Sequence, residues 1–465
     1  MKTIGVVNHA SAAVRGASRQ MGKGRMRTMI WGALVAGAAL IASSSPAMAQ
    51  AGKLDPTFGV GGVFRNNVGI FGTAVAVQSD GKIVVGGEIA PEAAVVRLTP
   101  NGTLDSSFGS NGTVNISFPG DDFSGAQVIG VAIQSDGKIV AGISNFTQGF
   151  GPLFVLARLN INGSLDTTFG SGGIVETQIG LTGGSFGAAA SVLAFEPDGK
   201  ILLAGQNSEP TGASGAIARY DANGQLDDTF GSGGIAVTSI AAPTAIALQP
   251  DGRILLASGG SAVGFTGVAP GVSLAQVAGI ISRYNANGSL DTSFGISGQA
   301  ASVVVAGAVA VQTDGVCSST CKILVGGTVV SSLNINTGNG IGFGLARYNS
   351  NGTVDTTFGA GGAVATSFSP NPTQSNATLF ALALQSNGNI VAAGSAANTI
   401  PFSAQPGEFA LARYASNGGL DTAFGSGGKV TTAFGNSQAS IFALALQSNG
   451  RIVAVGTSIA RYLGQ

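Results

Sequence analysis

The chain is poor in histidine, tryptophan, cysteine and charge: one His, one Trp, two Cys and 9% charged residues in 465. His9, Trp31 and all five methionines fall within residues 1–49. Beyond them no Ser-His-Asp triad and no histidine-based metal centre can be assembled. No G-x-x-x-x-G-K-[ST] string is present, which removes a Walker-type phosphate loop. Six of the 22 Lys+Arg lie in residues 1–28, leaving sixteen against 22 Asp+Glu, a net of −6. With that balance and no basic cluster, nucleic acid is not an expected partner. No run after residue 49 is apolar enough to span a bilayer as a helix.

The first 49 residues read as an export signal. Lys2, Arg15, Arg19, Lys23, Arg25 and Arg27 precede an apolar run from Met29 to Ala42, and Ala47-Met48-Ala49 ahead of Gln50 is an A-x-A cleavage pattern. The rival reading, a membrane anchor, needs roughly 20 apolar residues, and this run falls short. Cleavage leaves one domain, residues 50–465, expected to be a monomer in the periplasm, on the cell surface or outside the cell, without a stable membrane anchor.

What the exported part has is glycine, 75 in the whole chain, separating short runs of Val, Ile, Ala, Leu and Phe. Such runs between turn clusters read as strands. Cys317 and Cys321 share one insertion, and export favours a small disulfide clip there. A metal site would need further ligands, and a C-x-x-x-C redox pair is a third reading.

Two motifs recur seven times. The first, [LV]-D-x-x-F-G, places Asp55, Asp105, Asp166, Asp227, Asp291, Asp355 and Asp421 at spacings of 50 to 66 residues. Its phenylalanines, from Phe58 to Phe424, are expected to pack between repeats. The second has the form Val77-Gln78-Ser79-Asp80-Gly81-Lys82, with Asn-Gly at Asn387 and Asn449. Asp-Gly between apolar runs predicts a hairpin with a type I′ turn. A third strand in each repeat ends in arginine: Arg97, Arg158, Arg219, Arg283, Arg347, Arg413 and Arg461. Four antiparallel strands per repeat predict an all-β fold, a seven-bladed β-propeller.

In six repeats Arg precedes Asp by eight residues, and joining Gln465 to Gly52 restores that spacing for Arg461 and Asp55. The last blade is therefore expected to be closed by the N-terminal strand around Val63-Phe64. A linear β-solenoid is the alternative, but its ends need caps, not complementary fragments. Seven copies of one acid suit a structural pair better than catalysis. Each Arg–Asp couple is expected to be a partly buried ion pair, with the Asp alternatively bonding its own turn backbone.

The pairing of x-Q-S-D-G-K-I-V-x-G-G with A-R-Y-x-x-N-G-x-L-D-x-x-F-G-x-G-G resembles the delta-60 repeat, a bacterial β-propeller family, over essentially all of residues 52–465. A looser likeness is to kelch-type propellers. The resemblance implies a propeller and frequent export, and brings no catalytic activity, cofactor or ligand with it.

Strand polarity puts the Asp-Gly turns and the L-D-x-x-F-G loops on one face, the turn face. The other connections, of very unequal length, form a variable face, where binding residues usually reside. Its candidates are Glu88, Glu92, Asp121, Asp122, Phe146, Phe150, Glu209, Phe265, Phe402 and Glu408. The expected function is a non-catalytic scaffold binding a protein or glycan there. The alternative is a glycosidase using two of Glu88, Asp121, Asp122, Glu209 and Glu408. No cofactor is expected. A Ca²⁺ site at Asp121-Asp122 is the sharper but less favoured reading, since Ca²⁺ takes 6–8 oxygens.

Overall fold

The computed structural model describes residues 50–117, 126–144, 153–179, 189–209, 212–259, 278–313, 321–329, 342–369, 375–400, 403–404, 407–435 and 438–465. The expected leader with Ala47 and Ala49 lies outside the described residues.

The described residues form strands and no helix. In the first sheet β1 (Phe71–Val77), β2 (Ile83–Ile89), β3 (Glu92–Leu98) and β4 (Thr113–Ile116) pair antiparallel in sequence order. The same meander restarts at Gln127–Ile133, Ala189–Phe195, Ala245–Leu248, Val305–Gln312 and Ser375–Leu384. A single parallel pair, Leu153 with Ala189, links the second and third of these units. The last sheet has three strands, Ile441–Leu446, Ile452–Gly456 and Ile459–Tyr462.

The N-terminal residues lie along the outer edge of that last sheet. Val63 bridges Ala460 and Leu54 bridges Tyr462. Phe64 N donates to Ile459 O at 2.9 Å, and Arg461 N donates to Gly62 O at 2.9 Å. The second bond matches Arg97 N to Gly112 O at 2.9 Å in the first unit.

The Asp-Gly hairpins differ from the type I′ expectation. In the first, Gly81 has φ +84° while Asp80 is not among the residues of positive φ. Gly81 N donates to Gln78 O at 2.9 Å and Gln78 N to Lys82 O at 2.8 Å. This is a type I turn followed by a glycine in the left-handed region, the three-residue hairpin loop. Asp80 Oδ1 accepts the Lys82 amide at 3.1 Å, so the carboxylate caps the turn and its own backbone stays right-handed.

The strands are buried on both faces because each sheet packs between two others. Val75 and Val85 share a cluster with Val453 and Val455 of the last sheet. Ala74 and Val84, on the opposite side, join Val131 and Ile139 of the second. That double burial explains runs such as Ala443-Leu444-Ala445-Leu446, which show no polar alternation. Phe58 is fully buried. Gly102 of the next unit, at φ +77°, closes over it, and a Cβ there would lie 2.6 Å from the ring. Both backbone conformation and space therefore require glycine.

Candidate functional site

The charged residues of the two motifs meet on the turn face. Arg97, Arg158, Arg219, Arg283, Arg347 and Arg413 each place Nε 2.7–2.9 Å from Oδ2 of the aspartate eight residues on. Arg461 does the same with Asp55 at 2.8 Å. The other carboxylate oxygen serves the turn: Asp105 Oδ1 accepts the Ser107 amide at 3.1 Å and its hydroxyl at 2.7 Å. The two parallel bonds of a bidentate pair are not formed, because the rest of each guanidinium is engaged elsewhere. Arg97 Nη2 donates to Ser107 Oγ at 3.2 Å, and the guanidinium carbon sits 4.4 Å from the centre of the Phe108 ring.

A third member was not anticipated from the sequence. The cation after each Asp-Gly turn reaches the same Oδ2: Lys82 to Asp105 at 3.2 Å and Lys138 to Asp166 at 2.9 Å. Arg253 and Arg451 take this place beside Asp291 and Asp55. Lys322 keeps it beside Asp355 at 3.1 Å even though the cysteine insertion precedes it. The signal was present, a cation at a fixed place after the turn glycine, but such a lysine also reads as ordinary solvated surface. The sixth unit departs: Asn389 Nδ2 donates to Asp421 at 3.2 Å, and Ala423 offers only its amide.

Burial opposes ionisation of Asp105, but Ser107, Lys82 and Arg97 outweigh it and hold the carboxyl at about 2. Asp355 is likewise held at about 2, by Thr357, Lys322 and Arg347 acting against burial. Asp55, Asp166, Asp227 and Asp291 are also lowered. Glu196 runs the other way, pushed up by burial despite Arg219 at 3.6 Å. A lowered carboxyl binds fewer protons folded than unfolded, so its stabilisation is present above about pH 4 and is lost as pH falls through the folded value. We expect the urea midpoint to fall steadily between about pH 4 and pH 2 as these carboxylates take up protons. A midpoint that stays flat over that interval contradicts this account.

Each arginine also reaches forward into the following unit through Nη1. Arg97 donates to Ile161 O at 2.5 Å, Arg158 to Ala222 O at 2.7 Å and Arg347 to Ser416 O at 2.5 Å. Arg219, Arg283 and Arg413 donate to the carbonyls of Ala286, Ser350 and Gly464. Arg461 donates to Pro100 O of the first unit at 2.5 Å. The backbone runs a parallel series: Gly109 N to Asn162 O at 2.8 Å, Gly359 N to Asn417 O at 2.9 Å and, across the two ends, Gly425 N to Ala51 O at 2.9 Å.

On the variable face, Glu88 lies half-buried on β2, opposite Phe71 and Ala93. Glu92 opens β3 and accepts the Ser117 hydroxyl at 3.2 Å, and Glu408 opens Glu408–Tyr414. Glu209 ends Ile201–Glu209, and its side chain is not described. Asp121, Asp122, Phe146, Phe150, Phe265 and Phe402 lie outside the described residues, as does Cys317; Cys321 is buried and no described cysteine is free. Among the described residues no cluster of three or more His, Cys, Asp or Glu is placed to hold a metal. An arc of aromatics not singled out from the sequence joins the first strands of three units: Phe442 is 5.2 Å from Phe71 and 5.3 Å from Phe380 between ring centres. Their motif-free positions gave no signal, because three strands far apart in sequence bring them together.

Three cavities among the described residues open on the turn face. One of about 580 Å³ is lined by Lys82, Asp136 and Lys138. One of about 460 Å³ is lined by Glu196, Asp198 and Lys200. The third, about 570 Å³, lies where the last two units meet the first, and its turns are Gln385-Ser386-Asn387 and Gln447-Ser448-Asn449.

No curated protein matches the sequence. Among solved structures, a streptogramin B lyase is 13% identical, covering 85% of this chain and 93% of its own, with a TM-score of 0.42. Virginiamycin B lyase from Staphylococcus aureus is 11% identical, with 86% and 97% covered and a TM-score of 0.43. Sqt1 from Chaetomium thermophilum is 13% identical, with 86% and 98% covered and a TM-score of 0.39. Likeness at this level carries no argument about activity. The model of a family described as a domain of unknown function (DUF5122) beta-propeller matches residues 78–108, 134–169, 196–230, 249–294, 322–358 and 385–424. Over those six stretches, just under half of its length, the chain is similar to a β-propeller repeat family.

Proposed function

We propose that residues 50–465 form one exported seven-bladed propeller of delta-60 type, closed by residues 52–64, that acts as a non-catalytic binding scaffold. Closure is supported by the Arg461–Asp55 pair and by the Arg461 bond to Pro100, which complete a series otherwise running unit to unit. Export follows from the basic and apolar leader, and it suits a Cys317–Cys321 clip. The observation that carries the scaffold reading is the fate of the repeated charges. Each strut aspartate is already taken by an arginine at 2.7–2.9 Å, which leaves the repeated motif structural. Binding of a protein or glycan then falls to the variable face, where Glu88, Glu92 and Glu408 stand at strand ends.

The test is a glycan array and a reducing-end release assay on purified residues 50–465, which we expect to be monomeric. Retention without release is the expected result. Release of sugar that disappears in Glu88→Gln or Glu408→Gln overturns the non-catalytic reading and favours the glycosidase.

A further inference from the structure

The three turn-face cavities differ in charge. Two are lined by acids and lysines together, while the third has no Asp or Glu side chain in its lining. The difference traces to the sequence. The first four turns carry Asp80, Asp136, Asp198 and Asp251, and the two turns carrying asparagine, Asn387 and Asn449, are neighbours that border this one cavity. Its two cations, Arg451 and Arg461, are both held by Asp55 at 2.8 Å.

The lining also holds polar groups that lack partners. Gln385 is 9% exposed and lines the cavity, yet its Oε1 receives no hydrogen bond. Gln78 Oε1, across the cavity, is likewise unpartnered, as are Gln134 Oε1 and Gln249 Oε1 at the equivalent places of two other units; what this cavity adds is two such amides facing one space. A buried acceptor left unmade is costly, so a donor is wanted at both points. Gln447, equivalent in the next unit, is satisfied: it accepts Arg461 Nη1 at 3.3 Å and donates to Gly81 O at 3.5 Å. Behind the amides, Leu382, Leu384, Leu444 and Leu446 give the cavity an apolar wall.

We infer that this cavity is a binding site for a neutral saccharide. Side-chain amides present a donor and an acceptor on one plane, and a sugar hydroxyl is both donor and acceptor. The apolar wall suits the C–H face of a sugar ring. An ionised ligand would lose its hydration without a free counter-charge to meet it. A volume near 570 Å³ is in the range of small-ligand pockets and holds about one or two pyranose rings. The site stands apart from the variable-face reading and does not rest on it.

Saturation-transfer NMR and calorimetry on residues 50–465 with neutral, acidic and amino monosaccharides and disaccharides test it. Neutral sugars are expected to bind and charged ones not. Gln385→Leu and the double change Asn387→Asp with Asn449→Asp are each expected to weaken neutral-sugar binding about tenfold or more. The double change restores the turn residue of the other units, so the fold is retained. Asp136→Asn, at a turn outside the cavity, is expected to leave it unchanged. Any of four results overturns the site: no neutral sugar binds, Gln385→Leu binds as well as wild type, only Glu408→Gln weakens binding, or a peptide library occupies the cavity instead.

Discussion

Asp166→Ala lowers the free energy of unfolding by about 3–5 kcal/mol, and Asp421→Ala, which strips one cation of its partner instead of two, lowers it by less. The two carboxylates hold equivalent places and differ in what they satisfy. Asp166 receives Arg158 at 2.7 Å, Lys138 at 2.9 Å and the Thr168 hydroxyl at 2.7 Å. Its side chain is 6% exposed and that of Arg158 is 4% exposed. Removing it leaves a buried guanidinium with no counter-charge, the costly way to break such a pair. Asp421 is 21% exposed and faces a single cation, with Asn389 where the second would be. Urea denaturation gives both numbers from midpoints at constant slope. A double-mutant cycle of Arg158→Ala with Asp166→Ala is expected to show coupling above about 1 kcal/mol. Equal costs at the two aspartates, or no coupling, contradict the assignment of these residues as struts.

Removal of residues 50–64 is expected to abolish a monomeric, cooperatively melting protein. That segment supplies the bridges from Val63 to Ala460 and from Leu54 to Tyr462, the fully buried Phe58 and the carboxylate on which Arg451 and Arg461 converge. A lost buried phenylalanine costs about 3–5 kcal/mol and an unpaired buried arginine a similar amount. Together they rival the roughly 5–15 kcal/mol by which a whole protein is stable. The exposed edge of Ile459–Tyr462 would also invite pairing with another chain. Light scattering and a melting curve read both effects, and a peptide of residues 50–68 added in excess is expected to restore the monomer by strand addition. A truncated protein that remains monomeric and melts unchanged rules out this segment as the closing strand.

Much of the fold was legible because the physics is local. Asp-Gly marks a hairpin, and an arginine eight residues before an aspartate spans one connection. What the sequence left hidden depends on geometry that local pattern does not encode. Asp-Gly is compatible with two hairpin turns, and the Asp80 carboxylate on the Lys82 amide selects the one with a single residue of positive φ. Lys82 looks like solvated surface until pairing of β2 with β3 sets it beside Asp105. The amide-lined cavity was invisible for a different reason: its walls come from three turns, two of them more than three hundred residues from Gln78. Two asparagines in place of aspartates read as harmless variation until those turns are seen side by side.

The forward bond of each arginine ends on a backbone carbonyl. Its seven acceptors belong to isoleucine, alanine, serine, glycine and proline residues, so the side chain at the receiving position is immaterial. This bond therefore asks for no matching side chain in the neighbouring unit. The turn that receives the bond is thus free to vary its side chains without losing the tie to the unit before it.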